Sequence, residues 1–270
     1  MAEHDNMNGL TKLTPHIHRL TIPFLDIYTT VFVINTEAGA VLFDTATYPE
    51  DIDQYIVPAL AELGISASEL KYAVISHNHR DHAGGLARFA KLFPDTVICA
   101  GSEECGERVP GRCVKVLGEG DTLACVLTAV SMPGHTPDCV GILDTRTKTL
   151  LSGDALQLYG IYGSGAWGAN IRWISEHLEL GKRLHECDLA TVVASHDYHP
   201  CGWRADGKAE IDRYIDECAN ALYAIRDFIS PYLQLDDDAL AEMYNSSSKL
   251  PTVGKHVIKN LRELMDAGKI

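Results

Sequence analysis

His77-Asn78-His79-Arg80-Asp81-His82 is the most informative stretch of this sequence. It follows directly on residues 72–76, YAVIS, whose apolar and β-branched side chains predict a buried strand. In an α/β protein, the loop after a strand end is where ligands are presented to a cleft. Three imidazoles and one carboxylate suit zinc, iron or manganese better than calcium or magnesium. With 12 histidines among 270 residues, a chance enrichment of one loop is disfavoured, so the stretch predicts a metal site.

Further candidate ligands follow other predicted strands. His135 stands in the turn PGHTP after the apolar run 123–132, Asp154 follows a short strand at 149–151, and His196 follows a strand at 191–195. One histidine after a strand is more often a surface residue than a ligand. The order of these residues along the chain, together with the first cluster, favours a ligand role for all three instead. Ser76 and Ser195 adjoin candidate ligands and are expected to make local backbone hydrogen bonds.

The combination of HxHxDH, a later histidine in a Pro-Gly-His-Thr turn, a Ser-Gly-Asp and a final histidine after a strand resembles the metallo-β-lactamase-fold hydrolases. The resemblance covers about residues 10 to 205. It implies an α/β fold, a four-layer αββα sandwich of the metallo-β-lactamase type, here with a C-terminal helical appendage. The expected organisation is a catalytic domain at residues 1–205 and a helical extension at 206–270.

The same resemblance implies a ligand set for two metal ions. One ion would be held by His77, His79 and His135, the second by Asp81, His82 and His196, with Asp154 bridging the two. Residues 41–45, VLFDT, resemble the family's early strand ending in Asp-Thr, which implies that Asp44 supports the ligands from behind. Ala46 follows, where the family usually has glycine.

These ligands imply a hydrolytic chemistry. Two cations a few ångströms apart share a bridging water and lower its pKa toward ~7, which gives hydroxide near neutral pH. That hydroxide attacks a carbonyl or phosphorus while a metal polarises the oxygen that gains charge. Asp81 would bind its metal and orient the nucleophile, and it or the water network would protonate the leaving group. Two zinc ions are expected, with iron or manganese as alternatives.

A glycine-rich aromatic segment at residues 158–168 follows Asp154 closely. Such a segment suits a mobile flap over an apolar part of the substrate, and the alternative is a surface loop whose aromatic side chains dock on the domain. Tyr159, Tyr162 and Trp167 are the candidate substrate-binding residues. The hydroxyl of Tyr159 or Tyr162 would stabilise a developing oxyanion, which makes Tyr159 a candidate catalytic residue beside Asp81.

The substrate class is narrowed by Asp154, because true metallo-β-lactamases generally have Cys or Ser there. Lactonases and glyoxalase II, which split lactones and thioesters, fit better. The basic glutathione contacts of glyoxalase II do not map onto the acidic C-terminal region, so a lactone or carboxylic ester is expected first. Thioester hydrolysis of the glyoxalase II type, phosphodiester cleavage and sulfatase activity are alternatives.

Two other classes stay open. One is an iron-dependent oxidoreductase of the same fold, and the full set of seven donors argues against the single iron of a persulfide dioxygenase. A flavodiiron protein would need a flavodoxin domain for which 270 residues leave no room. The other class is a binding protein with a relict site, which the intact ligand set disfavours.

The amino-acid composition limits the binding partners and the cellular compartment that can be expected for this protein. A net charge of −14 with dispersed Lys and Arg disfavours nucleic acid and favours a small-molecule substrate. No apolar run is long enough to span a bilayer, so no membrane partner is expected, and a homodimer is left open. Met1–Asp5 lacks the features of a signal peptide, and the eight cysteines form no Cys-x-x-Cys pair. Both observations favour reduced thiols in the cytoplasm.

Strands and helices are predicted in alternation. Strands are expected at 17–24, 30–35, 40–44, near 97 and 114, and at 123–132, 140–144, 149–151 and 191–195. Helices are expected at 49–63 with a break at Pro58, at 83–93, at 171–187, from 211 to 229, after Asp236, and at 253–267.

Overall fold

The computed structural model describes residues 9–270, so the prediction made for Met1–Asp5 lies outside the described residues. The chain divides into two compact units. The first comprises the residues up to Ser131 together with Val140–Thr147, and the second comprises Met132–Cys139 and Lys148–Ile270. The predicted boundary after residue 205 stays a prediction.

A seven-stranded sheet in the first unit follows the order of the chain. Its strands are β1 (Leu10–Lys12), β2 (Ile17–Phe24), β3 (Ile27–Thr36), β4 (Gly39–Phe43), β5 (Leu70–Ile75), β6 (Val97–Ala100) and β7 (Val114–Val116). Strands β1 to β4 are antiparallel, whereas β4 to β7 are parallel. Because parallel strands end at the same edge of a sheet, Asp44 after β4 comes to lie beside Ser76 after β5.

Apolar side chains on one face of this sheet pack against the helices of the same unit. The core includes Val33, Leu42, Ile75 and Phe89, each fully buried. The bounds of β2 match the prediction, and β3 and β4 differ from it by a few residues, because alternating and β-branched patterns identify half-buried strands well.

The first predicted helix is continuous but changes its winding. Helix α1 (Pro49–Asp51) passes through a π-helical turn, Ile52–Ile56, into α2 (Val57–Glu62). Pro58 has no backbone N–H to donate and lies at the start of α2, directly after the π-helical turn. The helix ends at Glu62, one residue before the predicted bound, and Gly64, with φ +69°, follows it.

The helix after the metal-binding stretch begins earlier than predicted. Helix α3 (Arg80–Ala83) includes Asp81 and His82, and α4 (Leu86–Leu92) follows a break at Gly84-Gly85. The predicted start at Ala83 is therefore wrong. A Cβ atom on Gly84 would lie 1.9 Å from the carbonyl oxygen of Thr47, so this close approach requires glycine.

The predicted strand at 123–132 is also wrong, because it is a hairpin. Strands β8 (Thr122–Leu123) and β9 (Leu127–Ser131) pair antiparallel, and β9 pairs with β10 (Val140–Asp144). Ala124 and Cys125 form the turn with φ of +47° and +64°, a conformation that their residue types do not signal.

The second unit has three strands. The short strand β11 (Thr149–Leu151) runs parallel to β12 (Thr191–Tyr198), and β13 (Gly202–Asp206) is antiparallel to β12. Strand β12 is longer than predicted, so His196 lies within it rather than after it. The pairing of β12 with β13 shifts register between Val193 and Tyr198, and such irregularities re-aim side chains near functional sites.

Four α-helices, α5 (Ile174–Glu186), α6 (Gly207–Ile229), α7 (Asp237–Ser247) and α8 (Lys255–Asp266), and a short 3-10 helix, Ser230–Tyr232, complete the second unit. Asp236 caps the N-terminus of α7, since its Oδ1 accepts the Ala239 N–H at 2.8 Å. A core that includes Leu222, Ile258 and Leu261 holds the C-terminal helices to one another. Within residues 9–270, none of the helices has the length and apolar character needed to cross a membrane.

Candidate metal centre

Four of the predicted ligands lie together in the first unit. His77 Nε2 and His79 Nδ1 are 3.0 Å apart, and Asp81 Oδ2 lies 3.3 Å from His82 Nε2. The rings of His77 and His82 have centroids 4.2 Å apart. His77 and His79 lie in the loop after strand β5, and Asp81 and His82 lie in the first turn of α3.

Asp44 holds this set in place through hydrogen bonds to Ser76 and His82. It is fully buried, and its Oδ1 accepts the Ser76 N–H at 2.7 Å. Its Oδ2 accepts the Ser76 hydroxyl at 2.9 Å and the Nδ1–H of His82 at 2.8 Å. Burial raises the pKa of Asp44, and the His82 and Ser76 hydrogen bonds oppose that rise. With its proton on Nδ1, His82 presents the lone pair of Nε2 to a cation.

Ser76 sets the tautomer of His77 by the same logic. Its single hydroxyl proton is donated to Asp44, so toward His77 Nδ1, at 3.0 Å, the oxygen accepts. His77 therefore carries its proton on Nδ1 and offers Nε2 as a ligand atom. The expectation that the Ser76 hydroxyl makes local backbone hydrogen bonds is wrong, because its partners are the side chains of Asp44 and His77.

The turn after β4 fixes the backbone of α3. Thr45 donates its N–H and its hydroxyl to the His82 carbonyl at 2.7 and 3.0 Å. The Gly84 N–H donates to the Ala46 carbonyl at 2.9 Å. Ala46 has φ +57°, the left-handed conformation that glycine favours and that costs alanine about 1 kcal/mol. This chain thus keeps a glycine-type turn with alanine at that position.

Arg108 holds the residue between His77 and His79. Its Nε donates to Asn78 Oδ1 at 2.6 Å, and its Nη2 donates to the Asn78 carbonyl at 2.7 Å. A guanidinium that binds both the side chain and the backbone of one residue restrains that residue in two directions. The spacing of the two histidines is therefore held from outside the loop.

The remaining three predicted ligands lie together in the second unit. The Asp154 carboxylate stands between two imidazoles, with Oδ1 3.4 Å from His196 Nε2 and Oδ2 3.9 Å from His135 Nε2. All three side chains are buried. A buried carboxylate between two histidine Nε2 atoms is a donor set that suits a divalent transition metal.

His135 contacts two residues that the sequence did not single out, and the backbone carbonyl of one of them orients its ring. Its Nδ1 lies 2.6 Å from the Asn170 carbonyl and 2.9 Å from Gln157 Nε2. The shorter contact requires Nδ1–H, because a carbonyl oxygen accepts and does not donate. Gln157 Nε2 is also a donor, so it is a neighbour of the ring and the Asn170 carbonyl is the acceptor. His135 Nε2 then keeps its lone pair for a cation. Gln157, three residues after Asp154, could have been suspected from its position, whereas Asn170 carries no sequence signal.

The Pro-Gly-His turn packs on a third residue that the sequence did not reveal. A Cβ atom on Gly134, whose φ is +153°, would lie 2.8 Å from the Cβ of His177. The N–H groups of Arg172 and Trp173 donate to the Gly134 carbonyl at 2.8 and 2.9 Å. The loop before α5 and its first turn thus fix the residue next to His135.

His177 is expected to make the protein less stable in acid. Burial lowers its pKa from 6.5 to about 4. Between these values the unfolded chain binds a proton that the folded chain excludes, so stability present above pH 6.5 is lost as the pH falls toward 4. The loss amounts to about 3 kcal/mol. Urea unfolding from pH 7.5 to 4.5 should show a shallower decline for His177→Gln, and equal declines would contradict this assignment.

Residues 158–168 form a docked loop. The Ile161 N–H donates to Trp167 O at 2.8 Å within the loop, the Tyr162 N–H donates to Asp197 O at 2.7 Å, and the Gly168 N–H donates to Thr252 O at 3.0 Å. The Tyr162 ring contacts His199 with centroids 3.6 Å apart. These contacts favour the docked alternative over a mobile flap.

The candidate substrate-binding side chains of this loop differ in exposure. Tyr162 and Trp167 are more than a third exposed, at 39% and 38%. Tyr159 is half-buried, and burial followed by the charge of Glu217 raises its pKa to about 12. Its hydroxyl therefore stays protonated at neutral pH and can donate a hydrogen bond. The roles of Tyr159, Tyr162 and Trp167 toward a substrate stay predictions.

All seven predicted ligands are candidate ligands for a metal ion. Four lie in the first unit and three in the second. That the two sets share their ions stays a prediction.

Solved structures of known proteins share this fold. A metallo-β-lactamase family protein from Thermus thermophilus matches with a TM-score of 0.72 and 17% identity over 95% of each chain. At that identity the likeness concerns the fold alone. It confirms the predicted fold class, a mixed α/β fold with two sheets, flanking helices and C-terminal helices.

Curated relatives include more than one activity. A hydroxyacylglutathione hydrolase from Stenotrophomonas maltophilia is 27% identical over 81% of this chain and 74% of its own length. A mitochondrial persulfide dioxygenase from Mus musculus is 29% identical over 59% of each chain. The matches to three other curated relatives span 53%, 33% and 26% of those proteins.

The sequence model of the metallo-β-lactamase superfamily matches residues 26–210, a range that contains Asp44 and every predicted ligand. The superfamily consists mostly of metal-dependent hydrolases and includes some oxidoreductases. Because this match covers most of the chain, the chain belongs to the metallo-β-lactamase superfamily.

Proposed function

We propose that the chain is a hydrolase that binds two divalent metal ions and cleaves a small acyl ester. The proposed ligands are His77, His79 and His135 for one ion, and Asp81, His82 and His196 for the other, with Asp154 shared by both. The observation on which this proposal depends is the orientation of the ligand side chains. Hydrogen bonds to Ser76, Asp44 and Asn170 leave the outward nitrogens of His77, His82 and His135 as electron-pair donors.

The donor chemistry fits such ions. Imidazole nitrogens and carboxylate oxygens, without a thiolate, suit zinc, iron and manganese, and zinc is our first choice. When bound, divalent ions supply Lewis acidity and activate water at neutral pH. The chain itself supplies a buried setting, because His77, His82, His135 and His196 are each at most 2% exposed. Exclusion of bulk water strengthens the electrostatic interactions of these groups.

Asp81 is the proposed proton-handling residue. It is more exposed than the other acidic ligand, with 17% of its side chain accessible against 7% for Asp154. Thr29 fixes its backbone by donating a hydroxyl to the Asp81 carbonyl at 2.8 Å. A carboxylate that is held in place and still reaches solvent can orient a nucleophile and return a proton to a leaving group.

The substrate is proposed to be an acyl compound of small size. A lactone or carboxylic ester is the expectation from the sequence, and the relative named hydroxyacylglutathione hydrolase favours a thioester as the second candidate. The net charge of −14 argues against polyanionic substrates such as nucleic acid. We further propose a cytoplasmic enzyme without membrane partners. All eight cysteines lie within the described residues and carry thiols rather than disulfides, in keeping with that compartment.

An oxidoreductase is a candidate from a different class, and the persulfide dioxygenase relative is the observation that favours it. Such an enzyme would use one iron and molecular oxygen. It would leave several of the seven proposed ligands without a role.

The test is elemental analysis of protein purified without added metal, followed by a substrate panel. The panel comprises lactones, p-nitrophenyl esters, S-acylglutathiones, nitrocefin, bis-p-nitrophenyl phosphate and a glutathione persulfide with oxygen monitoring. We expect two ions per chain and hydrolysis of an ester or thioester, lost in Asp81→Ala and retained in Asp95→Ala, whose side chain is exposed. One iron per chain with oxygen uptake, or full activity of Asp81→Ala, would overturn the proposal.

A further inference from the structure

The C-terminal helix α8 is linked by hydrogen bonds to a proposed metal ligand of the same unit. His256 Nε2 lies 2.5 Å from Asn170 Oδ1. The backbone carbonyl of the same Asn170 lies 2.6 Å from Nδ1 of His135. Two hydrogen bonds therefore connect the first turn of α8 with a residue 121 positions earlier in the chain, counted from 135 to 256.

The direction of each hydrogen bond follows from its donors and acceptors. The Asn170 oxygens can only accept, so His256 Nε2 and His135 Nδ1 each carry the proton. The Asn170 N–H donates to Gln157 Oε1 at 2.7 Å, which turns the Gln157 amide nitrogen toward Asp154 Oδ2 at 3.5 Å. Asn170 is thus held at its side chain by His256 while its backbone contacts His135 and Gln157.

His256 is itself firmly placed. A Cβ atom on Gly254 would lie 2.6 Å from the His256 ring, so the ring packs directly on the backbone before α8. Asn245 on α7 fixes that backbone, accepting the Val253 N–H at 2.8 Å and donating to its carbonyl at 3.0 Å. The next residues, Val257 and Ile258, are fully buried in the helical core. A rigid donor can transmit its position, whereas a mobile one would not.

We propose that His256 is a positioning residue for the metal centre: through Asn170 it holds His135 in the tautomer and orientation that a divalent ion requires. This inference rests on the proposed metal site and gives the C-terminal helices a part in it. Hydrogen-bond partners of metal ligands typically change metal affinity by about 10- to 100-fold when removed. His256 acts one residue further out, so we expect the lower end of that range.

The test is the zinc dissociation constant, measured by competition with a chromophoric chelator. His256→Leu is expected to bind zinc about tenfold more weakly than the natural chain. His256→Gln, whose amide can still donate to Asn170, is expected to recover most of that loss. Lys259→Ala is the matched control, because its side chain on the same helix is 61% exposed, and it should bind zinc as tightly as the natural chain.

A second pair of variants covers the case in which His256→Leu does not fold. Asn170→Ala keeps the backbone carbonyl but removes the side-chain acceptor, and it should weaken zinc binding to the same degree. If both residues act along one path, the double variant will be no weaker than either single variant. Additive losses, equal losses in His256→Leu and His256→Gln, or unchanged affinity in His256→Leu and Asn170→Ala would each overturn the inference. Absence of zinc binding by the natural chain would instead overturn the metal site.

Discussion

Asp154→Asn is expected to lower kcat/KM for the best substrate by about a thousandfold or more, which corresponds to about 4 kcal/mol of lost transition-state stabilisation. The carboxylate stands between His135 and His196, and an asparagine keeps its shape while removing its charge. A neutral amide cannot balance the charge of two cations. Elemental analysis of the variant should show fewer metal ions per chain than the natural protein.

The control for this variant is Asp188→Asn. Asp188 belongs to the same unit, its side chain is 82% exposed, and it pairs with Lys148 at the surface. Loss of such a pair changes stability by about 0 to 1 kcal/mol and should leave turnover unchanged. If Asp154→Asn retained its metal and most of its activity, the proposal that this residue is shared by two ions would have to be abandoned.

Asp44 is expected to give two different phenotypes according to its replacement. Asp44→Ala removes the acceptor for the Ser76 N–H, the Ser76 hydroxyl and His82, all of which are buried, so we expect a loss of about 3 to 5 kcal/mol in the free energy of unfolding. Urea denaturation of the metal-free protein measures that loss. Asp53→Ala, with 48% of its side chain exposed, should leave the free energy of unfolding nearly unchanged.

Asp44→Asn should keep more of the stability and still damage the site. Its amide can accept from Ser76 through the oxygen, but its NH2 then faces His82 Nδ1 and favours the tautomer with the proton on Nε2. That tautomer cannot donate an electron pair to a metal from Nε2. Zinc affinity should therefore fall by about 10- to 100-fold. Unchanged zinc affinity in this variant would show that Asp44 does not set the tautomer of His82.

Much of the fold could be predicted because its strands carry local signals. The bounds of β2, β10 and β11 agree with the prediction to the residue. The errors lie where the backbone depends on tertiary contacts. The hairpin turn at Ala124-Cys125 has a left-handed backbone without Gly or Asn, and the break at Gly84 follows from its contact with Thr47. Neither cause is visible in a local pattern.

The candidate site divides in the same way. The residue types of the ligands are conspicuous, because clustered histidines and carboxylates are rare outside functional sites. The residues that orient them are ordinary in type: a serine after a strand, a glutamine, an asparagine in a loop and a histidine on a helix. Asn170 contacts His135 through its backbone carbonyl, and its side chain contacts His256, 86 positions later in the chain. Such a role leaves no trace in the amino-acid sequence.

The docked loop at residues 158–168 has a practical consequence for protein engineering. Gly160 and Gly168 tolerate no side chain, because a Cβ atom would meet backbone oxygens at 2.5 and 2.2 Å. Tyr162 and Trp167 are 39% and 38% exposed, so substitutions at these two positions do not place a side chain of the wrong size in the core. A library that tests the predicted substrate contacts should therefore diversify those two aromatic positions, preserve the glycines, and keep the segment around Thr252, whose backbone carbonyl accepts the Gly168 N–H. Truncating the chain ahead of Thr252 would remove one anchor of this loop and leave its hydrogen bonds to Asp197 and His199.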